Sequence, residues 1–326
     1  MPRFLIFFVS LAALAAVLPA GAAPAGPWSF TVRAENDLPA NSDRYYTNGV
    51  SFSFAHCTAD RDALWPQVLR LPGLDRPGLL ATGFDLGQVM VTPADIHRTT
   101  PDPRDRPYAG LLFLGASWQR FADDHYAALK LITGLVGPGS LAEQTQRSVH
   151  RVFGVAQPLG WDHQLRTEPI LNAVYERRWR AQSWGHHDAW RGDALFIGGA
   201  MLGNVLTQTY AQLQVRAGWR TPDDFGASLI RGIGALPPAR DTAKWGVHAY
   251  VGVGGLAVAR NITLDGNSFR SGPGVERRPY VATGETGLVV RGRGWQLTTS
   301  WIVWGREFET QPRRAEFGAM ALSVFR

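Results

Sequence analysis

Along most of this chain apolar and polar residues alternate one by one. From Trp28 to Glu35, the residues Trp28, Phe30, Val32 and Ala34 interleave with Ser29, Thr31, Arg33 and Glu35. The run Thr209 to Arg220 repeats the pattern. Thr209, Ala211, Leu213, Val215, Ala217 and Trp219 share one face, while Tyr210, Gln212, Gln214, Arg216 and Arg220 share the other. Shorter versions occur at Val50/Phe52/Phe54, Leu112/Leu114/Trp118, Leu129/Leu131/Leu135, Trp295/Leu297/Trp301/Val303 and Met320/Leu322/Val324. A period of two marks a strand with unlike faces, and about ten residues is enough to cross an outer membrane at a tilt. The pattern predicts a dozen strands, starting near residues 28, 46, 81, 109, 126, 170, 193, 209, 244, 280, 294 and 315. An even number suits a closed antiparallel transmembrane β-barrel. The alternative is a secreted β-sandwich with one wet face. Gln and Arg in the polar phase, with Trp at strand ends, favour the barrel. In the phase of Met320, Leu322 and Val324 the last slot holds Arg326, where such barrels usually carry an aromatic residue, and Phe325 is penultimate.

Composition narrows the class. Of 326 residues, 45% are hydrophobic and 18% charged, too apolar for disorder and too polar for a bundle of spanning helices. The net charge of +6 comes almost wholly from arginine, since only Lys130 and Lys244 are lysines. Arginine forks onto phosphate and carboxylate, so anionic partners are expected. The single cysteine, Cys57, excludes a disulfide framework and a Cys-based zinc site. Residues 1–22 read as a signal peptide: Arg3 gives a positive start, Phe4 to Val17 an apolar stretch, and Ala20-Gly21-Ala22 a small-residue cleavage site. A retained anchor is the alternative. Residues 23–326 then form the barrel, exported from the cytoplasm, which argues against a nucleic-acid partner. No later run is long and apolar enough for a spanning helix.

One segment breaks the alternation. After Gly137-Pro138-Gly139, Ser140 and Glu143 fit a capping box. Leu141, Thr145, Val149 and Val152 then recur at helical spacing, with Gly154 beyond them to end the helix. Glu143, Gln146 and His150 fall together on the opposite, polar side. If the mature N-terminus lies in the periplasm, the connections after strands 1, 3 and 5 lie outside the cell. Glu35-Asn36-Asp37, Thr47, Asp105-Arg106 and the His150 helix would then share one rim. Thr47 is in phase with Ser51 and Ser53, so its hydroxyl is expected to point inward. Connections 57–80 and 220–243 are long for periplasmic turns, so they either carry small helices or the strand count is off by a hairpin. The pair His186-His187 and the run Gly252 to Gly255 carry no specific signal.

Three ordered blocks resemble the outer-membrane lipid A 3′-O-deacylase family. The first is Glu35-Asn36-Asp37 with Asp43-Arg44-Tyr45-Tyr46-Thr47-Asn48-Gly49, and the second is Asp105-Arg106-Pro107-Tyr108-Ala109-Gly110. The third is Gln146-Arg147-Ser148-Val149-His150-Arg151-Val152-Phe153-Gly154 followed by Trp161-Asp162-His163-Gln164. The resemblance covers the first half of the mature chain. It implies a barrel of 12 strands in the outer membrane and a calcium-dependent esterase that removes the 3′-linked acyloxyacyl chain from lipid A. It maps active-site roles onto Asn36, Asp37, Thr47 and His150, with Gln146 also matching and Asp37 the best candidate for a Ca2+ ligand.

The chemistry of those residue types fits such a role. Ester hydrolysis needs a base for water and a site for the developing oxyanion. His150 is the natural base. Asp37 and the Asn36 amide are the hard oxygen donors that calcium takes, and the ion would polarise the carbonyl. No G-x-S-x-G motif occurs, so Thr47 is expected to orient water or substrate rather than attack. Asp105 and Arg106 are expected to support the site, with Arg104 and Arg106 candidates for lipid A phosphates. Competing expectations are a barrel without catalysis, either a pore or a lipopolysaccharide-binding protein, and a hydrolase of outer-membrane phospholipids.

Overall fold

The computed structural model describes residues 28–37, 45–58, 71–186, 188–226 and 244–326. The expected signal peptide, residues 1–22, lies outside them, as do half of connection 57–80 and the larger part of 220–243. The described strands are β1 (Trp28–Asn36), β2 (Tyr45–Thr58), β3 (Leu79–Thr92), β4 (Ala109–Phe121), β5 (His125–Val136) and β6 (Glu168–Gly185). They continue with β7 (Trp190–Gly203), β8 (Leu206–Trp219), β9 (Gly246–Asn261), β10 (Tyr280–Gly292), β11 (Trp295–Trp304) and β12 (Ala315–Phe325). Each pairs antiparallel with its sequence neighbours, and β1 pairs with β12 to close the barrel. Every strand begins within 3 residues of its expected start.

The direction of the faces separates a barrel from a sandwich. On β8, Leu213 is 47% exposed while Gln214 and Arg216 are 0% and 1% exposed. On β1 the exposed residues are Trp28 and Phe30, and the polar residues Ser29, Thr31, Arg33 and Glu35 are all buried, with Val32, Ala34 and Asn36 of the other phase covered as well. Apolar residues therefore coat the outside and polar residues fill the inside, which is the order lipid demands.

The interior is crossed by paired charges. Lys130 Nζ lies 2.8 Å from Asp85 Oδ2, both groups buried. Arg178 pairs with Glu176 at 2.6 Å, and Tyr210 donates to the other Glu176 oxygen at 2.7 Å. Arg216 Nη2 and Asp193 Oδ2 are 2.6 Å apart. Gly115 makes room for the first pair, because a Cβ there would sit 2.6 Å from Asp85 Oδ1. Buried pairs of this kind stabilise only when both members are present.

Both termini lie at one end of the barrel, so the connections after the odd strands gather at the other. Among the described residues two α-helices occur there: α1 (Ala142–Val152) and the short α2 (Ile262–Asp265). At the termini end the two long connections are used in different ways. Leu74 packs on Ala127 and Leu129 against the outside of the wall, and Tyr175 donates to Pro72 O at 2.5 Å. Phe225 and Asp224 instead turn inward, where the Phe225 carbonyl accepts from Arg178 at 2.9 Å. β2 pairs directly with β3 and β8 with β9, so no strand is missing from the wall at either connection.

Two substitutions test the polarity of the wall. Lys130→Met strands the Asp85 carboxylate and is expected to cost about 3–5 kcal/mol in urea unfolding from lipid vesicles, with most of it recovered in the Asp85→Leu/Lys130→Met double variant. Leu114→Arg, in the outward phase of β4, is expected to cost about 2–4 kcal/mol in the same assay.

Candidate active site

The chain reaches α1 through a tight 3-10 turn, Gly137–Ser140, and then through Leu141, whose φ of 59° lies in the left-handed region. The expected capping box does not form. Ser140 Oγ donates to Gly137 O at 2.6 Å and so closes the turn, while Glu143 pairs with Arg147 at 2.9 Å. The helix also presents its faces in the opposite sense from a soluble helix. Ala142, Gln146 and His150 are its buried residues, whereas Leu141 and Val149 are exposed and Val152 is 78% exposed. The apolar stripe faces outward for the same reason that Phe84, Leu86 and Leu114 do on the wall.

The polar stripe is buried because α1 lies on the outer surface of the barrel. In β3 and β4 the outward residues are the even-numbered ones, so Gln88, Met90 and Gly110 all point out. Gln88 Nε2 donates to Ser140 O at 2.7 Å, and Met90 packs in one cluster with Ala142, Trp161, Tyr108 and Ile96. A Cβ on Gly110 would collide with Ser140 Oγ and Ala142 Cβ, so the glycine sets how closely the helix approaches. Gly110, Met90, Asn48 and Asn36 occupy one rung across β4, β3, β2 and β1. Three strand spacings separate its ends, about 14 Å. Asn36 and Asp37 are both buried at the β1 end.

On α1, His150 Nδ1 lies 2.6 Å from Ala156 O, and the turn that brings this carbonyl round is closed by Val155 N donating to His150 O at 2.8 Å. A carbonyl only accepts, so Nδ1 carries a proton, and in the neutral ring the lone pair is then on Nε2. One turn earlier, Gln146 Oε1 accepts from Trp161 Nε1 at 2.7 Å. Trp161 is fully buried and rests on Tyr108, ring centroids 4.9 Å apart.

With this geometry in view, comparison with known proteins settles the family. A family model described as outer membrane protein LpxR matches residues 5–325. The chain belongs to this family. Among solved structures, LpxR from Salmonella typhimurium superposes with a TM-score of 0.77 at 16% identity, covering 91% of this chain and 100% of that one. The β domain of the Bordetella autotransporter BrkA gives 0.43 at 12% identity, over 93% of this chain and 99% of that one. The translocator domain of NalP from Neisseria meningitidis gives 0.34 at 9%, over 99% and 95%. Comparison with curated protein sequences returns no match. The LpxR fold is thus the fold of this chain, and the outer membrane is its location.

The other expected residues fall into two groups. Thr47 lies in β2 at the register shift between Tyr46 and Asn48, so simple alternation from Ser51 does not fix its phase, and its side chain lies outside the described residues. Asp105 and Arg106 stand apart from His150. Asp105 staples its own loop, accepting from Ala94 N at 2.7 Å and Arg106 N at 2.8 Å, while burial pushes its carboxyl above the ordinary carboxylate value.

Arg106 is buried, pairing with Glu307 at 3.1 Å and donating to Thr263 Oγ1 at 3.1 Å, and it roofs a cavity of 80 Å³ above Val89, Leu111, Leu256 and Val281. In this structure, then, Arg106 ties three connections over the barrel mouth instead of presenting to a lipid phosphate. Arg104 is exposed, but it forks onto Asp102 at 3.0 and 3.2 Å, and that bond holds the Asp102 carboxyl down to about 2. The docking residues Gln88 and Met90 were not singled out from the sequence; only their outward phase on β3 marks them.

Loss of close approach should free the helix. Gly110→Leu is expected to speed tryptic cleavage after Arg147 and Arg151 by about tenfold or more, a ratio that corresponds to about 1.4 kcal/mol of docking energy. Heat-modifiable migration of the barrel should be retained.

Proposed function

We propose that this protein is a lipid A 3′-O-deacylase, hydrolysing the ester of the 3′-linked acyloxyacyl chain in the outer leaflet. The observation that carries the reading is His150, a base of fixed tautomer, buried between a surface helix and the lipid-facing wall of an LpxR-family barrel. Membership of the family supports the reaction class. The position on the outer wall supports an ester that arrives laterally through the membrane.

In the proposed reaction His150 Nε2 takes a proton from water as the water oxygen bonds to the ester carbonyl carbon. The imidazolium formed is stabilised by its Nδ1–H bond to Ala156 O. Collapse of the tetrahedral adduct breaks the bond to the sugar oxygen, which receives the proton back from Nε2. Acid and free hydroxyl leave, and the base is regenerated.

Asn36 and Asp37 are proposed to hold calcium beside the reacting carbonyl. They bring an amide oxygen and a carboxylate, adjacent and buried, at the head of β1. Hard oxygen donors of this kind fit the ion. Among the described residues no group of three or more His, Cys, Asp or Glu gathers around a common point, so no further carboxylate of theirs is proposed as a ligand. A bound calcium ion supplies positive charge at the developing oxyanion. The eleven residues of α1 extend about 16 Å, comparable with the rung from Gly110 to Asn36, which supports His150 and Asn36 serving one cleft. Thr47, at the bulge beside Asn48, is proposed to orient water or lipid. Asp105 and Arg106 support the site at a distance by fixing the loop that leads into β4.

Lipid A from cells expressing the wild type is expected to lose one acyloxyacyl unit by mass spectrometry, and His150→Ala cells to retain it, with a rate loss of about 10²–10⁴ in purified protein. Chelation is expected to abolish turnover and added calcium to restore it. Phospholipid cleaved in place of lipid A would reassign the substrate. Steady bilayer conductance with no hydrolysis, unchanged in His150→Ala, would favour a pore.

A further inference from the structure

The Gln146 amide has two ends with different fates. Its Oε1 is committed to the Trp161 indole at 2.7 Å. An indole N–H only donates, so it accepts no bond from the NH₂ end, and the amide cannot flip without losing this contact. Nε2 is thereby aimed away from Trp161. It is buried and finds no hydrogen-bond partner among the described residues. A buried amide N–H left unmatched is costly, so a fold that keeps one has a use for it or a guest that fills it.

Placement points to the guest. Gln146 and His150 are four residues apart on the buried stripe of α1, which puts their Cβ atoms about 6 Å from each other. An ester carbonyl lying between them would present its carbon to water held by His150 and its oxygen to Gln146. Trp161 is fixed by elements other than α1. It is stacked on Tyr108, and its segment is tied to the wall by Leu165 N donating to Tyr108 O at 3.0 Å and Leu159 N donating to Ile96 O at 2.9 Å. The indole is therefore a rigid reference against which the amide is set.

We propose that Trp161 is a positioning residue that locks the Gln146 amide so that its Nε2–H donates to the scissile carbonyl oxygen as it becomes an oxyanion. This rests on the hydrolase reading above and adds a second, uncharged donor to the charge proposed at Asn36 and Asp37. The donor acts on the developing negative charge, so it belongs to kcat more than to KM.

Three variants and two ligands test it in purified, heat-modifiable protein, with lipid A and a chromogenic long-chain acyl ester as substrates. Gln146→Glu keeps the acceptor for Trp161 but removes the donor, and is expected to lower kcat about 10²-fold with KM little changed. Trp161→Phe keeps the ring stack but frees the amide, and is expected to lower kcat about tenfold. The double variant is expected to be no slower than Gln146→Glu alone. A phosphonate analogue, tetrahedral and anionic, should lose affinity in step with kcat/KM, while an ether analogue should bind all variants alike. A purely structural role would weaken both analogues equally, and that result overturns the proposal, as does Gln146→Glu within threefold of wild-type kcat. Wild type that cleaves the chromogenic ester but not lipid A would sink the substrate assignment alone, since the kcat ratios would still be read on that ester. Wild type inert on both would remove the donor role as well.

Discussion

A strand edge in lipid has no water to satisfy it, so every backbone group must find another strand. In this chain the demand is met last at the seam between β1 and β12, where eight residue pairs run from Ser29 opposite Phe325 to Asn36 opposite Gly318. Reciprocal backbone bonds of 2.6 and 2.7 Å between Trp28 and Arg326 fasten its lower end. Arg326 serves there through its backbone while its side chain is exposed, which explains how a charge can occupy a slot that usually carries an aromatic residue. The upper end of the same seam is Asn36, with Asp37 next in the chain. Closing the barrel and setting the height of the proposed oxygen donors are therefore one event.

The second constraint is that lipid reverses the usual sense of burial, and it governs both the strands and the helix. The strands were legible because a period of two is visible whichever face is inside. Gln and Arg in one phase and Trp in the other even indicated the sense. For α1 the stripes were legible but their direction was not. Leu141, Val149 and Val152 would be the core side of a helix in water, and here they are exposed while Gln146 and His150 are buried. Nothing in eleven residues states the solvent. The capping box failed for a more local reason: Leu141, not Ser140, is the N-cap, so Ser140 and Glu143 are out of register for it, and the Ser140 hydroxyl donates to Gly137 O while accepting from Ala142 N.

Contacts far apart in sequence were the least legible. Arg106 and Glu307 are separated by 201 positions, and no periodicity or spacing links them. From sequence alone an arginine on the rim reads as a phosphate binder, whereas a buried ion pair makes it a fastener. The three motif blocks marked segments, not roles. They could not tell which residues of a block face the cleft and which hold the loops. The Asp105-Arg106-Pro107-Tyr108-Ala109-Gly110 block contains both kinds: Asp105 and Arg106 secure connections, while Tyr108 and Gly110 seat Trp161 and α1.

Why a hydrolase of this kind would work on the outside of its barrel follows from what fills the inside. Lys130–Asp85, Arg178–Glu176 and Arg216–Asp193 occupy the interior with charges matched to one another. An acyl chain drawn in there would separate those pairs and bury their charges against hydrocarbon, a cost of several kcal/mol for each pair broken. On the outer wall the same chain would stay on an apolar surface, and only the ester would meet the polar stripe of α1. That stripe is thin, a histidine and an amide on one side of one helix. Its few hydrogen bonds act in a low-dielectric cleft, where each is stronger than in water. Rigidity then matters more than number, and the structure places it in the partners of those two residues: a backbone carbonyl for His150 and a buried indole for Gln146.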